Sequence, residues 1–139
     1  MQVELAARLV RVLVEVEPGV DYRSRAQVAL RDAYGASANF RSGQDEAILA
    51  VAETRGRVLL VQRTGWGKSV VYFVATRLLR DDGRGPTIIV SPLLALMRDQ
   101  MSAAQKWGLH AVTIDSTRLT AAEVVDEVWR LGASRGMWR

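Results

Sequence analysis

RVLLVQRTGWGKSVVY, residues 57–72, passes from an apolar run, Val58 to Val61, through a glycine-containing turn into a second apolar run of helical character. The turn is Thr64-Gly65-Trp66-Gly67-Lys68-Ser69. Strand, Gly-rich turn and helix start, in that order, make the layout of a phosphate-binding loop. In such a loop consecutive backbone N–H groups and the positive end of the new helix face an anionic phosphate chain. A lysine at Lys68 adds a point charge toward the β- and γ-phosphates, and the Ser69 hydroxyl can ligate Mg²⁺. The strict pattern asks for glycine where Gln62 stands, so what is present is T-G-x-G-K-S. The competing reading is a surface turn that happens to carry Gly-Lys-Ser. The strand pattern before it and the helix pattern after it speak against that.

Downstream, a helix from about Lys68 to Arg80 buries Val70, Val71, Phe73, Val74 and Leu78. Asp81 to Pro86 is a turn by composition. Thr87-Ile88-Ile89-Val90 is a short continuous apolar run, as expected of a parallel strand covered on both faces. Ser91 is a good N-cap and Pro92 a good first helical residue. Leu93, Leu96, Met97, Met101 and Ala104 then mark the buried face of a helix ending near Gly108, and His110 to Asp115 reads as a third strand. Strands alternating with helices of this length predict an α/β domain with a parallel sheet.

Upstream, Ser42 and Asp45 have capping-box spacing, predicting a helix from near Gly43 to near Gly56 with Ala47, Ile48, Val51 and Ala52 on its core face. Arg41 and Gln44 sit at its entrance. A glutamine amide offers a donor and an acceptor to the edge of an adenine, and an arginine plane can stack on a base. The plainer reading of that pair is an exposed, polar helix start. Further back, residues 2–16 carry apolar positions at helical spacing, Pro18-Gly19 ends that helix, and Asp21 caps a second one over 22–34. This prefix reads as helical packing on the domain that follows.

Val125-Asp126-Glu127-Val128 resembles an acidic Mg²⁺ motif, but its setting differs. Thr120 and Glu123 form a capping box, and Ala121, Val124, Val125, Val128 and Leu131 follow helical spacing. Asp126 and Glu127 are therefore expected as solvated helix residues. His110 has no second ligand type nearby and reads as structural, with Met97 and Met101 as core.

The chain has 139 residues, 49% hydrophobic and 24% charged, which is the balance of one ordinary globular domain. No apolar run approaches the roughly 20 residues of a membrane span, and the start lacks an export-signal pattern. Cysteine is absent, which excludes disulfides and thiolate metal sites and fits a cytoplasmic setting. The net charge is +4; of 19 basic residues two, Lys68 and Lys106, are lysines and the rest arginines. That balance is compatible with nucleic acid, although a solvated arginine-rich face is the commoner explanation of it.

Three stretches, NFRSGQDEAI, VQRTGWGKS and IIVSPLLALMRDQ, in this order and spacing, resemble the front half of the first RecA-like lobe of RecQ-type superfamily 2 DNA helicases. The likeness runs from about Tyr34 to Thr117, and its most specific part is S-P-L-x-A-L-M-x-D-Q. It implies a helical extension over 1–33, a truncated RecA-like ATP-binding lobe over 34–118, and a helix with an irregular tail over 119–139. It also implies ATP and Mg²⁺ as cofactors, held by Arg41, Gln44, Thr64, Gly65, Trp66, Gly67, Lys68 and Ser69. Arg41 and Gln44 would recognise adenine, and Ser69 would ligate the metal. Single-stranded or forked DNA is the implied partner, met near Ser91, Pro92 and Arg98, with 3′ to 5′ unwinding by the complete enzyme. The chain departs from the family where Ala36, Ser37 and Ala38 stand in place of an adenine-stacking aromatic, with Tyr34 the nearest candidate. Arg63 replaces a usual proline and Trp66 a usual small residue. An acidic Mg²⁺/water motif and a second lobe with its arginine finger are not found, so the expectation is a piece that holds nucleotide without hydrolysing it. The alternatives are a non-hydrolysing nucleotide- or DNA-binding module and an unrelated P-loop enzyme such as a small-molecule kinase.

Overall fold

The computed structural model describes residues 21–54, 57–91, 94–114, 119–134 and 136. They divide into two compact units, one ending at Leu78 and the other beginning at Leu79. The described residues carry α1 (Tyr22–Tyr34), α2 (Gln44–Thr54), α3 (Lys68–Asp81), α4 (Leu94–Lys106) and α5 (Ala121–Ser134). The helix expected over 2–16 lies outside the described residues.

In the first unit, α1 starts where the sequence demands it. The Asp21 carboxylate accepts from the Ser24 N–H at 3.0 Å, filling one of the four donors that a helix start leaves open. Tyr22, Ala26, Ala29 and Leu30 recur on one face and are buried. The helix stops at Gly35, whose N–H reaches the Arg31 carbonyl at 2.8 Å. Arg25 lies over the Tyr22 ring, 5.2 Å from its centroid, and donates to the Leu78 carbonyl at 3.3 Å. α1 packs on α2, which contributes Ala47, Ile48 and Ala52 to the same core, and α3 contributes Val71, Phe73, Val74, Ala75 and Leu78. Ile48, Val74 and Leu78 are fully buried, and withdrawing each from water contributes roughly 1.5–3 kcal/mol. Asp45, expected to close a capping box with Ser42, pairs instead with Arg23 of α1. Gln44 takes over the reach back across the turn, accepting from the Arg41 N–H at 2.9 Å.

In the second unit, two helix ends use the same device. After α3, the Gly83 N–H bonds to Arg80 O and the Arg84 N–H to Leu79 O; after α4, Gly108 bonds to Gln105 O and Leu109 to Ala104 O. Each is a Schellman ending, which needs a left-handed residue, and Gly83 and Gly108 supply it at φ +72° and +66°. α4 begins at Leu94, with Pro92 outside the described residues. Its buried contacts are Ala104 and the following Trp107, whereas Leu96, expected in the core, is exposed. Met97 and Met101 are half-buried. α5 opens on the expected capping box: Thr120 N–H to Glu123 Oε2 at 2.7 Å and Glu123 N–H to Thr120 Oγ1 at 3.3 Å.

The parallel sheet is where structure and sequence part. None of the described residues forms a β-strand: 58–61, 87–90 and 110–114 are irregular. A buried parallel strand needs a neighbouring backbone for its ladder and side chains over both faces. Among the described residues these runs form no ladder, and Leu59 is 89% and Val90 90% exposed. Their composition is that of strands, but composition does not supply a partner.

Candidate functional site

The expected phosphate loop lies between the irregular 57–61 segment and the first turn of α3. Gly65 and Gly67 take φ +81° and +97°, conformations that a side chain disfavours. The chain tightens through Trp66 N–H to Arg63 O at 3.3 Å and enters α3 with Val70 N–H on Gly67 O at 3.1 Å. α3 starts at Lys68, so the first-turn N–H groups of Lys68 and Ser69 have no partner within the helix and carry its positive end. The Lys68 ammonium donates to Gln62 O at 2.7 Å and to Arg63 O at 3.1 Å, which holds its charge over the loop. Loop, helix start, Lys68 and Ser69 thus lie together at the start of α3, without the strand that the motif places before them.

Arg41 and Gln44 are brought to the same place, but they face the loop. Arg41 Nη1 donates to Gly65 O at 2.6 Å. Gln44, 3% exposed, donates through Nε2 to Trp66 O at 3.1 Å and Gly67 O at 3.2 Å. The Trp66 ring lies over the same turn, with Cζ2 3.7 Å from where a β-carbon on Gly43 would stand. The ring therefore points out of the loop and toward the start of α2. Two features escaped sequence reasoning. The main-chain oxygens of Gln62 and Arg63 bear no sequence signal, because any residue supplies a carbonyl. The tie between Trp66 and Gly43 has one faint signal, a large ring where a loop of this kind usually holds a small residue.

Of the residues expected at DNA, Ser91 is half-buried, Arg98 is exposed on α4, and Pro92 lies outside the described residues. Asp126 and Glu127 are helical, as their spacing predicts. Glu127 binds Arg130 through both carboxylate oxygens, and this hydrogen bonding lowers its pKa below the ordinary glutamate value. His110 is exposed, and no cluster of three or more potential metal ligands occurs among the described residues. No helix among them is long and apolar enough to cross a membrane.

With this geometry in view, the comparisons with known proteins are direct. The family model of the DEAD/DEAH box helicases matches residues 41–133, about two thirds of the chain. The chain belongs to the DEAD/DEAH box helicase family. Its relatives are RecQ-type enzymes. The ATP-dependent DNA helicase RecQ of Bacillus subtilis (strain 168) is 42% identical over 94 residues, covering 68% of this chain and 15% of that protein. The RecQ of Synechocystis is 34% identical over 110 residues, 79% of this chain and 22% of that protein. The ATP-dependent helicase wrn-1 of Caenorhabditis elegans is 32% identical over 105 residues, 74% and 9% of the two. This DEAD/DEAH box chain thus spans less than a quarter of the curated relatives described. No solved structure matches it.

Proposed function

We propose that this chain binds ATP–Mg²⁺ as part of a RecQ-like, ATP-dependent DNA helicase. The observation that carries the reading is the Lys68 ammonium held over the loop by the Gln62 and Arg63 carbonyls, beside the open first turn of α3. An ammonium, a row of main-chain donors and a helix dipole suit a polyphosphate. These residues fit the nucleotide: Thr64 to Lys68 would hold the phosphates and Ser69 would ligate the metal. Bound Mg²⁺ supplies neutralisation of charge on the β- and γ-oxygens. Ser91, Pro92 and Arg98 would meet single-stranded DNA, with Arg98 on an exposed face of α4 providing a phosphate contact. In the longer enzyme the loop belongs to a RecA-like lobe whose parallel sheet takes up 58–61 and 87–90 as strands, and unwinding runs 3′ to 5′.

Titration of the chain with ATP and Mg²⁺, beside Lys68→Ala, tests the reading. Binding that disappears in the variant is expected. Equal binding by both chains removes the phosphate loop from the account. Nucleotide-dependent binding of single-stranded DNA separates the helicase reading from a small-molecule kinase, for which none is expected.

A further inference from the structure

We propose that the outer face of α5 is a docking surface for a second copy of this chain, with the two helices antiparallel. α5 already has an inner face: Val124, Val128 and Leu131 are half-buried and Gly132 is buried. The side of a helix away from its core is ordinarily polar. Here that side is apolar as well. Ala122, Val125, Trp129 and Ala133 recur at spacings of three and four, which lines them up along the helix. All four are exposed, Val125 to 54% and Trp129 to 60%.

The charges beside this stripe select its occupant. Asp126 and Arg130 stand one turn apart on one flank, both exposed and opposite in sign. In a parallel pair this flank would meet the partner's other flank, where Ala121, Val128 and Gly132 offer no charge. An antiparallel pair brings the same flank of both helices together. Asp126 then meets the partner's Arg130, and Arg130 the partner's Asp126. The same two-fold sets Val125 against the partner's Trp129 and Ala122 against the partner's Ala133. Such reciprocity is what a two-fold interface demands. The bonds of Arg130 to Glu127 run from Nε and Nη2, which leaves Nη1 for the partner's carboxylate. Ala122 to Ala133 spans about 16 Å of helix, a contact well below the roughly 800 Å² per partner of a standard interface. Pairing is therefore weak, with a Kd on the order of 0.1 mM.

Sedimentation equilibrium of the full chain, over concentrations spanning that Kd, tests this. Trp129→Ala should weaken pairing about tenfold, since it truncates the central aromatic. Asp126→Arg and Arg130→Asp should each weaken it by about threefold or more, because like charges then meet. An equimolar mixture of the two should pair as well as the wild type, each copy supplying the charge that the other lacks. Association through the exposed 58–61 or 87–90 runs is blind to these swaps, so recovery in the mixture supports the proposal. Where a swap costs helix content by circular dichroism, the absence of cysteine from the chain provides a second reading. Under mild oxidation, a mixture of Ala122→Cys and Ala133→Cys chains should form the mixed disulfide in preference to either homodimer. A wild type that stays monomeric overturns the proposal, and so does pairing that Trp129→Ala leaves unchanged. Swaps that weaken pairing without recovery in the mixture, or homodisulfides in place of the mixed one, overturn the antiparallel second copy.

Discussion

A β-carbon on Gly67 would stand 2.6 Å from the amide nitrogen of Gln44, closer than any carbon is tolerated. The same glycine holds φ +97°, so substitution there meets two obstacles at once. Gly67→Ala should therefore expel the Gln44 amide, breaking its bonds to both loop carbonyls, and add backbone strain of about 1–2 kcal/mol. Gly65 is the control. Its φ is +81° but a β-carbon there meets nothing within 4 Å, so Gly65→Ala carries the backbone cost alone. Thermal unfolding of the two variants should rank Gly67→Ala clearly below Gly65→Ala. Equal midpoints would mean that the Gln44 contact contributes nothing to the loop.

Lys68 bonds to two carbonyls that water can satisfy in its absence, since the residue is only half-buried. Its removal should leave the fold almost untouched while emptying the proposed phosphate site. Lys68→Met is expected to change stability by less than about 1 kcal/mol. Tripolyphosphate affinity should fall between about tenfold and a hundredfold, the range for losing a charged hydrogen bond. A variant that unfolds readily but still binds would reverse the roles assigned here.

The helices were legible because their signals are local. Asp21 before Ser24, Thr120 before Glu123, and Gly83 and Gly108 after periodic segments act within one turn, and each does what its spacing predicts. The glycine turn before α3 and the helix start at Lys68 were legible for the same reason. The strands at 58–61, 87–90 and 110–114 were not, because a strand is a statement about a second backbone that its own residues do not encode. Leu96 was misplaced because a single periodic face does not reveal whether a neighbour covers it. In the site, residue types pointed to Arg41 and Gln44, but their bonds run to main-chain oxygens, which no residue pattern announces. Asp45 was assigned to a cap from its spacing, while Arg23, twenty-two positions away, is its partner.

Acid should loosen α1 and α5 from their first turns. Hydrogen bonds from Ser24 lower the pKa of Asp21, and bonds from Thr120 lower that of Glu123. A carboxylate with a depressed folded pKa stabilises fully above its unfolded value, near pH 4, and loses that contribution as pH falls through the folded pKa. Helical circular dichroism should therefore hold steady down to about pH 4 and decline below it. Asp21→Asn keeps a capping oxygen without the titration, so it should flatten the part of the decline that belongs to α1. A decline unchanged in both Asp21→Asn and Glu123→Gln would assign the acid response to other carboxylates.

Leu59 and Val90 are large apolar side chains almost wholly in water, within runs that have strand composition and no ladder. Exposed apolar runs of this kind promote association with another backbone or another apolar face. Each can be tested singly, since neither supports the described core. Leu59→Lys and Val90→Lys should each leave stability within about 0.5 kcal/mol, because substitutions at such exposed positions remove no buried contact. Both should lower the binding of a hydrophobic dye and the concentration-dependent self-association seen by sedimentation. Arginine-rich charge does not oppose this association strongly, since the net charge of +4 is spread over 139 residues. Self-association that persists unchanged in both variants would move its source away from these runs. A loss of helix content in either one would show that the segment supports the core after all, and that its exposure understates its contacts.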